Sequence, residues 1–310
     1  MSDRVHVALL IETSLAPERE ILRGIARYLR EQRPWSPSHE PQGLSDGVPS
    51  WLRHWRGDGI IARIQSERMA QEIRTTGLPV VDVLGAVPGL QFPLVHVDHG
   101  AIGRMAAEHL LERGLRHFGY FGVPGENGSR QRYEAFQRAV LGSGSAVSSC
   151  ELPFHPLNLL SCDHMTDFVT QWVAALPKPA GVFVCRDQLG RVFMEACRKA
   201  AVSIPDEVAV VSVDNDDPLC ELCDPPLSSI HTGHEAVGYR AAAVLESVLT
   251  GGRAPSRPIL IEPEQVVTRP SSDVMTVEDP AIAQALRLIR KRAPGGLQVQ
   301  EIAYHVGSVP

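Results

Sequence analysis

The chain has 310 residues, 44% hydrophobic and 21% charged, with a formal net charge of -6. That length supports two substantial cores, and the acidic balance excludes a surface dominated by nucleic-acid contact while allowing a local basic module. No run approaches the ~18 apolar residues of a membrane span, and Met1 to Leu10 lacks the pattern of an export signal, so a cytoplasmic protein without membrane association is expected.

The apolar run Val5 to Ile11 reads as a strand ending at Glu12-Thr-Ser. A helix follows from about Pro17, with Glu18 and Glu20 near the positive end of its dipole and Ile21, Leu22, Ile25, Ala26 and Leu29 on one face. Trp51 and Trp55, four residues apart around a short helix, read as core packing, although the tryptophans could also stack on a sugar ring. Gly59 to Ile64 is the next buried strand, followed by helix Glu67–Arg74 and by strand Leu78 to Leu84, whose Pro79 fits only near a strand start. Val95 to Asp98, followed by Gly100 and a small-residue helix over Ile102 to Leu111, continues the alternation, which specifies parallel sheet covered by helices on both sides.

The pattern then repeats. Strand His117 to Gly122 precedes a helix from near Ser129, and the glycines between Gly122 and Gly128 read as a turn without phosphate-loop spacing. The Pro- and His-containing stretch from Cys150 to Asp163 reads as loop plus a short strand. Ala180 to Cys185 precedes a helix over Asp187–Lys199, and strand Val208 to Val213 ends in Asp214-Asn215-Asp216-Asp217. Leu227 to His231 then crosses to a helix over Glu235–Leu249, and Ile259–Glu262 with Gln265–Thr268 close the sheet system. Two sets of βα units predict an α/β protein of two Rossmann-like lobes with parallel sheets, joined by a hinge of several strands. Lobe 1 is placed at about 1–113 and 231–252, and lobe 2 at about 114–230 and 253–270. After the linker-like Pro270 to Asp273, an amphipathic helix starts at Asp279-Pro280 and a second short helix spans Leu297 to Val306.

Ligands of open α/β sheets bind at the C-terminal ends of the strands, so residues placed there are the site candidates. Glu12, Arg63, Asp98, Asp187, Asp214 and Asn215 all lie at such ends, with Arg186 beside Asp187 and Arg132 near the start of the helix after Gly122. Carboxylates accept from sugar hydroxyls and a guanidinium donates along a rigid fork, so this set suits a polyhydroxylated ligand. Six of the eight have a structural alternative: a helix cap for Asp98 and Asp187, a cap or loop hydrogen bond for Asp214, and a salt bridge to Glu134 or a neighbouring acid for Arg132. Asn215 could point away from the cleft, and Arg186 could be a solvated loop residue. Six cysteines spread along the chain fit a reducing compartment, and Cys220-x-x-Cys223, the only close pair, reads as free thiols and not as a metal site. The dinucleotide, phosphate-loop, nucleophile-elbow and zinc-protease motifs are absent, so no cofactor, no metal and no catalytic residue is expected.

Leu9-Leu-Ile-Glu-Thr-Ser14, Leu22-Arg-Gly-Ile-Ala-Arg-Tyr28, Gly57-Asp-Gly-Ile-Ile-Ala-Arg63, Glu207 to Asp216, Leu219-Cys-Glu-Leu222, Pro225-Pro-Leu-Ser-Ser229 and Val267-Thr-Arg269 occur in order along the chain. Together they resemble the xylose-operon regulator family, densely over about residues 4–275 and more loosely to Val306. The resemblance implies a sensor of periplasmic-binding-protein-like (type I, LacI-like) fold over 1–273. It also implies an AraC-type helix-turn-helix domain beginning within 274–310, of which only the opening helices are expected here. It further implies a pentose, usually D-xylose, in the interlobe cleft, a homodimer, and operator DNA as partner only when the C-terminal domain is complete. Asp214 matches the family's ligand-engaging aspartate, and Arg132, in Arg132-Tyr-Glu-Ala-Phe136, is similar to the pocket arginine of the wider LacI-like pattern. Cys185-Arg186-Asp187 stands where the family usually has Cys-Asn-Asp; a donor-only guanidinium in place of an amide opens an acidic or phosphorylated sugar as an alternative to D-xylose. A carbohydrate-active enzyme with paired cleft carboxylates and a non-regulatory solute-binding protein are the competing readings.

Overall fold

The computed structural model describes residues 4–40, 48–152, 163–274 and 298–305, together with residues 285, 288 and 289. Two mainly parallel sheets, each flanked by helices, make two lobes, as the alternation of elements predicts.

Lobe 1 is built on β1 (His6–Leu10), β2 (Ser36–His39), β3 (Gly59–Ala62) and β4 (Val80–Asp82), parallel in the order β2-β1-β3-β4. A bridge from Asp82 to Leu94 carries this sheet on to β5 (Val95–Val97), which pairs in parallel with β11 (Ile259–Ile261). Successive strand residues face opposite sides, and both sides are buried. Val7, Leu9, Ile61 and Val81 belong to one core cluster, while Ala8, Leu10, Ile60, Ala62 and Val80 belong to another. Two helices, α1 (Ala16–Glu31) and α8 (His234–Leu249), pack on each other so closely that a Cβ at Gly24 would lie 1.9 Å from the Glu235 carbonyl oxygen. One at Gly238 would lie 1.9 Å from that of Ile21. Helix α2 (Glu67–Arg74), capped by the Ser66 hydroxyl, and a 3-10 turn at Ser50–His54 cover the other face; Trp51 and Trp55 pack there, as expected.

Lobe 2 holds β6 (His117–Gly122), β7 (Val147–Glu151), β8 (Ala180–Val184), β9 (Val208–Val213), β10 (Ser228–His231) and β12 (Gln265–Val267) in the order β12-β10-β9-β8-β6-β7. All neighbours are parallel except β12, which returns antiparallel to β10. Its helices are α3 (His99–Leu111), α4 (Asn127–Gly142), α5 (Asp163–Ala175), α6 (Asp187–Lys199) and the short α7 (Asp217–Glu221).

Two segments fall on the other lobe from the one expected. Helix α3 packs on α4 and under β8 and β9, so lobe 1 ends at Asp98 and not near residue 113. Strand β11 pairs with β5, so the chain re-enters lobe 1 before β12 returns it to lobe 2. Both follow from partners distant in sequence, which periodicity does not encode. The chain crosses between lobes three times, at Val97–His99, His231–His234 and Ile261–Gln265. The crossings are laced by hydrogen bonds from the Asp98 amide to the Ile261 carbonyl (2.7 Å) and from the Glu264 amide to the His231 carbonyl (2.9 Å). The helix expected from Asp279-Pro280 lies mostly outside the described residues; the later one is α9 (Val299–His305). No helix among the described residues is long and apolar enough to cross a membrane.

Candidate functional site

A cavity of about 450 Å³ opens between the lobes at the C-terminal ends of their strands, within the size range of small-molecule sites. Its lobe 1 wall begins with Arg63, which follows β3. This mostly buried guanidinium donates to Glu12, just past β1, and its other terminal nitrogen lies 3.0 Å from Glu18 in the first turn of α1. One cation thus serves two buried carboxyl groups, and Glu18 Oε2 has no hydrogen-bond partner. Burial, reinforced by the nearby Asp214 charge, pushes the Glu18 pKa up to about 8, so its carboxyl is largely protonated at neutral pH. Burial, with Arg186 adding to it, lowers Arg63 to about 10, which still leaves it charged.

The lobe 2 wall is built on Arg132, reaching in from α4. Its Nε donates to His99 Nδ1 (3.2 Å), one terminal nitrogen donates to the Cys185 carbonyl, and the other stands 4.0 Å from Asp214. The alternative salt bridge to Glu134 does not form, because Glu134 pairs with Arg130 one turn away at 2.7 Å. Asp214 follows β9 with φ +106°, a conformation that a non-glycine residue holds only when its surroundings impose it, and Asn215 has φ +51°, in the left-handed region that asparagine tolerates. The surroundings do so here through three amides. Asp214 donates to the Ile230 carbonyl (3.0 Å), Asn215 to Ser229 Oγ (2.9 Å) and Asp216 to Asp187 (2.8 Å). Burial raises the Asp214 pKa against the pull of Arg132 and Arg186. Arg186, the N-cap residue of α6, donates to Glu126 at the start of α4.

Of the eight sequence candidates, Asp214, Arg132, Arg63 and Arg186 line the cavity. Glu12 stands behind Arg63, anchoring it. Asp98 caps α3, accepting from the Ala101 amide at 2.8 Å. Asp187 is fully buried behind the wall, where it accepts from Ser229 Oγ (2.7 Å) and the Asp216 amide; burial and Asp214 raise its pKa. Asn215 turns away from the cavity, its side-chain oxygen accepting from Arg269 at 2.9 Å. Arg269 also binds Asp217 and Glu221, so much of the acidic crowding after β9 is balanced within lobe 2.

Sequence reasoning missed Glu18, which was read only as a dipole partner of α1, and Glu126, which sits in the loop taken for a turn. It also missed His96, His99 and His234, which line the cavity at two of the three crossings. Burial is the main cause that lowers all three imidazoles, His96 to about 3, so they are neutral. Because Arg132 donates to His99 Nδ1, the His99 proton sits on Nε2, which donates to His96 Nε2 at 3.0 Å and leaves the His96 proton on Nδ1. His234 Nδ1 contacts Thr232 Oγ1 at 2.5 Å. The guanidinium of the cavity wall is thereby linked to the hinge. A spacing of three between His96 and His99 was the one available signal. Among the described residues no His, Cys, Asp and Glu group is arranged to hold a metal ion, and Cys220 and Cys223 are free thiols.

The periplasmic binding protein-like domain family matches residues 107–272. The chain belongs to that family. It is 29% identical over 315 residues to the xylose operon regulatory protein of Escherichia coli K12, covering 98% of this chain and 79% of the relative. The Haemophilus influenzae protein of the same name is 28% identical over 309 residues, with 97% and 79% covered. Among solved structures, that of the xylose-binding transcription activator xylR superposes with a TM-score of 0.81 at 25% identity, covering 99% of this chain and 79% of that one. A LacI-type regulator from Alkaliphilus metalliredigens, complexed with D-xylulofuranose, shares the fold with a TM-score of 0.69 at 22% identity, covering 86% of this chain and 98% of that one.

Proposed function

We propose that this chain is the sensor of a sugar-responsive transcription regulator and binds an uncharged pentose, with D-xylose the first candidate, in the interlobe cavity. The observation that carries this reading is the charge pairing of the cavity wall. Arg63 is matched by Glu12, Arg186 by Glu126 and Arg132 by Asp214, with Glu18 largely protonated. Arg186, whose charge made an acidic or phosphorylated sugar an alternative, already has its carboxylate within the protein, so the site presents directional donors and acceptors and little net charge. Asp98 and Asp187 are engaged in structural hydrogen bonds, which favours binding over paired-carboxylate hydrolysis. Similarity to xylose operon regulators over nearly the whole chain supports the same reading.

The mechanism is closure. A sugar bridging Glu18 and Arg63 of lobe 1 to Arg132 and Asp214 of lobe 2 stabilises the closed arrangement by its differential contacts, and the three crossings bend. Output passes to operator DNA through an AraC-type C-terminal domain in a homodimer. The test is calorimetric titration with D-xylose, D-ribose, D-xylulose, a sugar acid and a sugar phosphate. Saturable heat with a neutral pentose, accompanied by compaction in small-angle scattering, is expected. A preference for the acid or phosphate, or no heat with any of them, would overturn the proposal.

A further inference from the structure

Glu18 is a buried carboxyl at the cavity surface, 4% exposed, with Oε2 lacking any hydrogen-bond partner. An unpartnered buried polar atom costs stability, typically about 1–3 kcal/mol, and calls for a function. Its surroundings define its state. Arg63 from the end of β3 is shared with Glu12 from the end of β1; Asp214 faces it from β9, Arg186 from the start of α6 and Arg19 from α1 itself. The imidazoles of His96, His99 and His234 around the same cavity are neutral. Arg186 is held by Glu126, and Arg19 reaches toward Asp216 at 3.9 Å. One guanidinium against two carboxyls, with a third acid opposite, leaves Glu18 as the group that carries a proton. Its Oε1 faces Arg63, so the proton sits on Oε2, the atom without a partner.

We propose that Glu18 acts as a neutral carboxylic acid whose Oε2–H donates a hydrogen bond to an oxygen of the bound sugar, making affinity fall as pH rises. The inference rests on the sugar reading above. Burial and Asp214, which hold the Glu18 pKa near 8, set the window. The donor is present below that pH and is lost as pH rises through it. Below it the Oε2–H needs a ligand oxygen that accepts, so a sugar hydroxyl at this position turns its own proton to another acceptor; above it the carboxylate can only accept and meets that oxygen's lone pairs.

The experiment is calorimetric titration of D-xylose and the other sugars of the panel from pH 6.5 to 9, with wild type, Glu18→Gln and Glu18→Ala. Glutamine keeps a neutral donor at the Oε2 position and an acceptor toward Arg63. Wild-type Kd should rise about tenfold between pH 7 and 9, following the protonated fraction of a group titrating near 8. The Glu18→Gln chain should lose most of that pH dependence, and Glu18→Ala should bind weakly throughout. Infrared difference spectra of wild type minus Glu18→Gln should show a protonated carboxyl band at pH 7 that disappears by pH 9.5. Binding with a flat wild-type profile, a Glu18→Gln profile as steep as wild type, or absence of that band would overturn the donor role alone. No heat with any sugar at any pH would overturn the sugar reading and this inference with it.

Discussion

Replacing Arg63 with methionine tests the electrostatic frame of lobe 1 directly. The Arg63 side chain is 12% exposed and the side chains of Glu12 and Glu18, the two acids it serves, are 2% and 5% exposed, so solvent screens none of them appreciably. Methionine preserves much of the aliphatic stem but leaves Glu12 buried beside Glu18 with no cation. Removing one partner of a buried pair costs about 3–5 kcal/mol, far above the ~0–1 kcal/mol of an exposed pair. Equilibrium urea unfolding of wild type, Arg63→Met, Glu12→Gln and the double variant forms a double-mutant cycle. The single Arg63→Met change should cost about 3–5 kcal/mol, and adding Glu12→Gln should recover at least about half of it, because the stranded charge disappears. A loss under about 1 kcal/mol, or a double variant no more stable than Arg63→Met, would refute the view that one arginine neutralises this wall.

Asp214→Asn keeps a side chain that tolerates the positive φ of that position but removes a charge-assisted acceptor. Pentose affinity by calorimetry should fall about 10- to 100-fold, the ~1.5–3 kcal/mol of a hydrogen bond to a charged group; unchanged affinity would remove Asp214 from the site. Gly238→Ala places a Cβ 1.9 Å from the Ile21 carbonyl oxygen and should destabilise by about 1–3 kcal/mol or more in thermal unfolding, as should Gly24→Ala. Gly142→Ala, at the end of α4 with nothing within 4 Å, should be neutral to stabilising by up to ~1 kcal/mol. His231 on β10 contacts Glu20 of α1 at 3.5 Å and Glu264 of the third crossing at 3.2 Å, and its hydrogen bond to Glu20 is the main cause raising its pKa. A raised histidine stabilises fully below its unfolded value of 6.5, and that contribution is lost as pH rises through the folded value. Fluorescence transfer between labels on the two lobes should therefore report more opening at pH 8.5 than at 6, and His231→Gln should flatten the change.

The alternation of apolar runs and amphipathic stretches was readable because it is local: a strand buried on both faces, as at Val208–Val213, announces itself without reference to its neighbours. Strand β2 was not readable. Ser36-Pro-Ser-His39 has no strand propensity and becomes an edge strand only because β1 offers it a free side, while Pro37 is tolerated at that edge. The placement of α3 and β11 escaped for the same reason, being decided by partners on other segments.

At the site the division is sharper. Position at a strand end marked Asp214 and Asp187 equally. Only the fold aims Asp214 into the cavity and commits Asp187 to Ser229 and the Asp216 amide. The sequence by itself determined two α/β lobes, the strand ends where a ligand would sit, and the acids and arginines available there. The tertiary structure alone decided which charges meet: Arg63 with Glu12 across 51 residues and Arg186 with Glu126 across 60, leaving Glu18 without a full partner. Hydrophobic periodicity follows from the geometry of one element, whereas the balance of a buried charge depends on every element that surrounds it.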